Sequence, residues 1–249
     1  YIIKDELAIL DIVASNFGKR PIYWAVTCRE DKLLGLEDYL QLEGLSLQLV
    51  PKRSKSNSEA YGIIGSGSVN TDVAYKNIME SWKWGNFDKE RLHVDKSYLP
   101  SLQTMRVSMI RIARQLVLEG KKVQAEALVD RYFEAFPQNN FPYDQFTAFM
   151  TDVYVRCGAN QKAAEKARLI AKTMEEQLKY YNSLSSNFKK GYQQEQQYSL
   201  STAGNLIRMA GDMKDEALKK ELEQMFDPYM QDDPRGVPGL KKKEKRLSG

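Results

Sequence analysis

At the start of the chain, Ile3, Leu7, Leu10 and Ala14 recur at helical spacing, with Lys4, Asp5, Glu6 and Asp11 turned away. This pattern predicts a helix over residues 3–15, ending at Asn16-Phe17-Gly18, where Gly18 can take a left-handed cap. Arg20-Pro21 then opens a stretch from Ile22 to Thr27, rich in aromatic and β-branched residues, which reads as a strand. A short helical piece is expected around residues 36–41. After it, Leu45, Leu47 and Leu49 alternate with Ser46, Gln48 and Val50, the period-two pattern of a half-buried strand closed by Pro51. Two strands make no stable sheet alone, so they must pack on the first helix or on a surface outside this chain. Residues 52–70 read as a loop or linker, and Thr71-Asp72 is expected to cap a helix running to Trp82.

From about residue 100 the pattern is helical throughout. Met105, Met109, Ile112 and Leu116 form one apolar stripe that ends at Gly120. Ala125, Leu128, Tyr132 and Phe136 form a second, ending at Pro137. Such a helix–turn–helix hairpin resembles a tetratricopeptide repeat. Ile112 and Ala113 stand where helices approach closely, Gly120 at the turn, Ala125 at the small position of the second helix, and Pro137 at the close. A second unit repeats this with Tyr154, Gly158, Ala163 and Ala167. A third, weaker unit runs from about Tyr198 through Gly211 to Phe226, after an insertion. The expected fold is mainly α: a small α/β part with a linker (1–70), a connecting helix and Trp-Lys-Trp-Gly segment (71–100), tetratricopeptide-like hairpins (101–230), and a disordered basic tail (231–249).

Charge and composition narrow the function classes. Lys241, Lys242, Lys243, Lys245 and Arg246, set against Glu244, account for the whole net charge of +4. The body is therefore neutral, which argues against a nucleic-acid surface built into the fold. The basic tail is expected to be solvated, or to touch an anionic membrane weakly. No apolar run approaches the roughly 20 residues of a membrane span, so the chain is expected to be soluble. It opens at Tyr1 with neither an initiator Met nor a secretory signal pattern, as expected of a piece of a longer protein. Cys28 and Cys157 form no metal spacing and no disulfide framework. Their apolar neighbours suggest buried free thiols.

Nothing in the sequence supplies a catalytic constellation, a metal site or a cofactor motif. His93 is the lone histidine and is expected to be a structural or surface residue. The glycines Gly62, Gly65 and Gly67 lack the Gly-Lys-Ser/Thr ending of a phosphate loop. The acidic doublets Glu37-Asp38 and Asp232-Asp233 do not converge on a cation. Trp82 and Trp84, flanking Lys83, form either an aromatic platform for a sugar or partner, or a staple between the α/β part and the first hairpin.

Several segments together carry a family resemblance. These are Leu10-Asp11-Ile12-Val13-Ala14-Ser15-Asn16, Arg20-Pro21-Ile22-Tyr23-Trp24-Ala25, residues 34–45, Leu49-Val50-Pro51, and Trp82-Lys83-Trp84-Gly85-Asn86. The chain resembles the C-terminal soluble region of a bacterial family of multi-spanning membrane proteins of unknown function, related to protein O-mannosyltransferases. The resemblance covers roughly residues 1–100, and helical repeats follow in that family too. It implies a membrane-embedded N-terminal part holding the glycosyltransferase site, a lipid-linked sugar donor, and an extracytoplasmic (periplasmic) place for this region. No catalytic residue is implied within the chain.

The leading expectation is a non-catalytic accessory domain that contacts the membrane-embedded part of its own polypeptide and a protein or peptide acceptor. Arg114, Asp152, Arg156, Asn205 and Arg208 are the candidate groove contacts, by analogy with the concave face of stacked hairpins. The alternatives are a free-standing tetratricopeptide scaffold, and a carbohydrate-binding module using Trp82 and Trp84. A spacer role without any ligand is also open.

Overall fold

The computed structural model describes residues 1–54 and 65–230. It is mainly helical, with a small sheet near the N-terminus. Residues 55–64 of the expected linker and the tail from 231 onward, the part expected to be disordered, lie outside the described residues. The chain divides into two compact units, Tyr1–Asn140 and Phe141–Gly249. The first hairpin therefore groups with the sheet and not with the later hairpins.

In the first unit, helix α1 spans Lys4–Asn16 and is followed by Gly18 in the left-handed region, as its terminal signals predict. Its burial is the reverse of the expectation. No residue of α1 is buried, and Ile3, Leu7 and Leu10 are exposed. The sheet has four strands: β1 (Tyr23–Ala25), β2 (Leu40–Leu42), β3 (Ser46–Leu49) and β4 (Ser68–Val69), in the order β1-β3-β2-β4. β3 pairs antiparallel with both β1 and β2, and β4 adds parallel to β2. Two of these strands correct the sequence reading. Where residues 36–41 suggested helix, a single 3-10 turn at Glu37–Tyr39 leads straight into β2, whose Leu40 and Leu42 are fully buried. A tight turn at Gly44, with φ of 117°, then returns the chain to β3. The supposed linker 52–70 contributes β4.

Gly67 shows why glycine stands in this segment. Its φ is 77°, and a Cβ there would lie 2.4 Å from the Leu40 carbonyl oxygen. Gly67 thus serves close backbone approach, Gly65 lies against the Arg111 side chain, and Gly62 falls outside the described residues. Helix α2 (Thr71–Lys76) is capped by the Asn70 side chain, which accepts from the Val73 N–H, and not by Thr71. A wider turn over Asn77–Ser81 completes it before Trp82.

The first unit closes with α3 (Leu99–Leu118) packed on α4 (Lys122–Ala135). Met109, Ile112, Ala113 and Leu116 of α3 are fully buried, as are Ala125 and Leu128 of α4. In the second unit α5 (Gln145–Cys157) packs on α6 (Asn160–Ser183). After a one-turn α7 (Ser186–Lys189), α8 (Gln193–Asp212) packs on α9 (Glu216–Met230). Asp144 caps α5 through a reciprocal pair of bonds with Thr147.

All three hairpins turn on one motif. The N–H groups of Lys121, Ala159 and Asp215 donate back to the carbonyls of Leu116, Tyr154 and Ala210. Those of Gly120, Gly158 and Lys214 donate to Val117, Val155 and Gly211. This is the Schellman arrangement, and it needs a left-handed residue at its centre: Gly120 at 76°, Gly158 at 89°, and Lys214 at 59°. The third turn thus sits at Lys214. Gly211, the expected turn residue, lies inside α8.

Candidate functional site

The predicted groove residues separate into two groups. Asp152 on α5 is nearly buried, its side chain 6% exposed, and it accepts from Arg156 Nε at 2.6 Å and from Arg208 of α8 at 3.4 Å. Arg208 also donates to Asp212 at 2.6 Å. Helices α5 and α8 lie side by side here, so residues far apart in sequence meet in one ion cluster. Arg208 remains 51% exposed, with guanidinium N–H groups available outward. Asn205 is half-buried on the same face of α8, one turn before Arg208. Arg114 lies on α3 and is placed differently. It belongs to the first unit and is itself buried on α3, so its place as an open groove contact is corrected.

The tryptophan pair lies in the first unit. Trp82 and Trp84 stand 5.6 Å apart at 53°. Trp84 is only 8% exposed: its ring meets Phe136 edge-on at 6.0 Å, and the Arg131 guanidinium lies 5.1 Å over it. Trp82 packs beside Gly44 of the β2–β3 turn, where a Cβ would stand 3.4 Å from the indole. An aromatic platform would need both rings open to solvent, and the burial of Trp84 removes one of them. The pair instead joins the sheet turn to α4.

Around it runs a polar scaffold that sequence reasoning missed. Arg106, buried on α3, donates to the Tyr132 hydroxyl at 2.8 Å and lies over the rings of Tyr132 and Phe136. Asn140 donates to the carbonyls of Phe87 and Glu90 and accepts from the Leu92 N–H, which fixes the segment after Trp84. Arg111 reaches from α3 to the carbonyls of Ser66 and Gly67 at 2.9 and 2.8 Å, and burial pushes its guanidinium down to about 10. Thr71 donates to Glu119, and Lys121 bridges Thr71, Asp72 and Glu119. Burial alone would raise the Glu119 carboxyl. Hydrogen bonds from Lys121, Thr71 and Gln115 outweigh that and hold it below its ordinary value. Apart from the Gln115–Glu119 and Lys121–Glu119 contacts, these pairs span long stretches of sequence, so no local pattern announces them.

The remaining sequence candidates are quickly placed. His93 is exposed in an irregular stretch. Cys28 is exposed and Cys157 half-exposed, correcting the expectation of two buried thiols. Cys28 sits in the turn that ends β1, where its N–H bonds back to Ala25 and carries the side chain off the sheet. Asp38 of the first acidic doublet is engaged by Arg53 at 2.8 Å. Among the described residues, no group of three His, Cys, Asp or Glu side chains could hold a metal ion.

A cleft of about 350 Å³ opens behind the end of α1, lined by Phe17, Lys19, Arg20, Ile22, Leu49 and Pro51 among others. In the second unit Tyr181 stacks on Tyr192 at 5.6 Å and 22°, with Tyr180 edge-on to both.

Residues 1–73, which hold α1, the sheet and the start of α2, match the family described as TMEM260-associated domain 2. This likeness links the N-terminal part of the chain to a membrane-protein family. No curated protein and no solved structure matches the chain. No helix among the described residues is long and apolar enough to cross a membrane.

Proposed function

We propose that this chain is a non-catalytic accessory domain of a membrane-bound, glycosyltransferase-like protein, and that its tetratricopeptide-like hairpins hold a protein or peptide acceptor. The observation that carries the binding role is the Asp152 cluster. There α5 and α8, the first helices of two hairpins, lie side by side with two partly exposed arginines around one nearly buried carboxylate. In stacked hairpins the first helices line the recognition face. The Arg208 guanidinium, half exposed, has more N–H donors than its bonds to Asp152 and Asp212 use, and can offer them to a peptide carboxylate or backbone carbonyl. The membrane setting is supported by the TMEM260-associated match over residues 1–73. The extracytoplasmic location and the contact with a membrane-embedded portion of the same polypeptide belong to this reading and rest on the family resemblance.

The first test is acceptor transfer in membranes by the protein that carries this chain, with and without residues 100–249. Transfer that collapses while the truncated protein still inserts supports acceptor presentation. Unchanged transfer leaves the hairpins a spacer and overturns the proposal. The finer test is Arg156→Lys with Arg208→Lys, which keeps Asp152 paired with cations but removes the forked donors. Acceptor binding should weaken about tenfold at an unchanged Tm. Unchanged binding would remove the cluster from the recognition face.

A further inference from the structure

The apolar face of α1 is the largest feature that the fold leaves without an explanation. A helix that is apolar on two sides needs both covered. α1 has one side engaged, where Ile9 and Val13 are half-buried and Lys32 meets Asp5 at 2.7 Å and Glu6 at 3.8 Å. On the other side Ile3, Leu7 and Leu10 are exposed, Leu7 by 61%, and Phe17 continues the stripe past the helix end. Exposed apolar stripes of this kind mark interaction surfaces. The cleft behind α1 extends the same surface, with Phe17, Ile22, Leu49 and Pro51 in its walls and Lys19 and Arg20 at its rim.

Charge selects among the occupants. Lys32 draws Asp5 and Glu6 to the engaged side, and its hydrogen bond to Asp5 holds that carboxyl below the ordinary value. The Lys19 ammonium donates to the Ser15 carbonyl, and neither Lys19 nor Arg20 makes an ion pair among the described residues. The open face therefore presents apolar side chains with Lys19 and Arg20 beyond its end and the opposite charges of exposed Lys4 and Asp11 along one edge. A protein partner would need an apolar ridge and acidic side chains placed together against the stripe and the cations beside it. A bilayer with anionic headgroups accounts for both. The whole face also lies within residues 1–73, the part that matches the TMEM260-associated family.

We propose that α1 and the cleft behind it form a docking face for the surface of a bilayer containing anionic phospholipid. Leu7, Leu10 and Phe17 enter the boundary between headgroups and acyl chains, and Lys19 and Arg20 meet lipid phosphates. The proposal goes beyond the accessory-domain reading and fails separately from it, because vesicle binding requires neither acceptor nor transfer.

The test is cosedimentation of the 249-residue chain with phosphatidylcholine vesicles, and with vesicles in which about a third of the lipid is phosphatidylglycerol. The chain should bind the anionic vesicles more tightly, and binding should weaken with added salt. Leu7→Glu with Leu10→Glu should reduce binding at least about tenfold. Lys19→Gln with Arg20→Gln should reduce it roughly tenfold or more. All four positions are exposed, so circular dichroism and Tm should not move. The lysines near residue 243 offer a second source of affinity, so a chain with Lys241, Lys242, Lys243, Lys245 and Arg246 changed to Gln is run beside these variants. Three outcomes overturn the proposal. The chain ignores both vesicles, only the tail variant loses binding, or the chain is a dimer in solution that Leu7→Glu dissociates.

Discussion

Two hairpins in this molecule share a turn and an apolar crossing but differ in the polar contacts around them. α3–α4 and α5–α6 both reverse on a Schellman turn with glycine at its left-handed position, and both bury small and apolar residues at the crossing. The first buries donors that reach backbone carbonyls, Arg111 to Ser66 and Gly67 and Asn140 to Phe87 and Glu90, beside an ion cluster of Lys121, Asp72 and Glu119 at its turn. The second unit carries its polar chemistry in an ion cluster around Asp152, half open to water. Buried donors aimed at carbonyls fix a segment and leave little for a ligand. A partly exposed guanidinium such as that of Arg208 costs less to disturb and keeps donors to offer. The same hairpin is thus structural support in one unit and a recognition candidate in the other.

The sharpest way to break this contrast is Asn140→Ala. It strips the Leu92 N–H and the Phe87 and Glu90 carbonyls of their partner, and should cost about 3 kcal/mol. Hydrogen exchange should show lost protection in α3 and α4 with α5 and α6 unaffected, and equal loss in both would refute the division. Next in size, Arg156→Ala with Arg208→Ala leaves the Asp152 carboxylate nearly buried without a cation. A loss of about 2 kcal/mol is expected in chemical denaturation, with much less from Asp152→Ala, whose removal leaves only partly exposed arginines. Equal losses from the two would show that burial of Asp152 carries no weight.

Turn substitutions should be smaller and alike. Gly120→Ala and Gly158→Ala meet no steric obstacle, so each should cost only the left-handed backbone penalty, about 1 kcal/mol. Lys214→Gly should stabilise the third hairpin by a similar amount, read as a rise in Tm. The subtlest effect is one of pH. Glu119 has its folded pKa held below the unfolded value, so its contribution is present near neutrality and lost as pH falls through the folded value. Wild type should exceed Glu119→Gln in stability at pH 7, and the gap should close in acid. A gap independent of pH would mean that the clasp with Thr71 and Lys121 does not depend on the carboxylate charge.

Much of the helical half was legible because its signals are local. Of the stripes Met105-Met109-Ile112-Leu116 and Ala125-Leu128-Tyr132-Phe136, all but the half-buried Met105 are buried as their spacing predicts, and Gly120 and Gly158 mark the turns. The third turn was placed at Gly211 because glycine usually takes the left-handed position, whereas Lys214 accepts that strain here. In the α/β part the reading of α1 had the right helix and the wrong burial. Periodicity shows that a helix is two-sided, but not which side finds a partner. β2 was read as helix because Leu36–Gln41 is too short to show a period. β4 was missed because two residues paired in parallel to a distant strand leave no local trace. The candidate site divides in the same way. Asp152, Arg156 and Arg208 were named from repeat positions and do converge. Arg114, named by the same analogy, is buried.

The pairing of β4 with β2 has a consequence for how the chain folds. Two strand residues cannot hold a parallel edge by themselves, and the carbonyls just ahead of them are gripped by Arg111 of α3. Closing the sheet therefore waits for a helix later in sequence, while the α3–α4 hairpin needs only contacts near at hand. We expect a folding nucleus in that hairpin, with Leu116→Ala and Leu128→Ala slowing refolding. Val69→Ala should act almost entirely on the unfolding rate. A Val69→Ala variant that slowed refolding as much as Leu116→Ala would place sheet closure before the barrier.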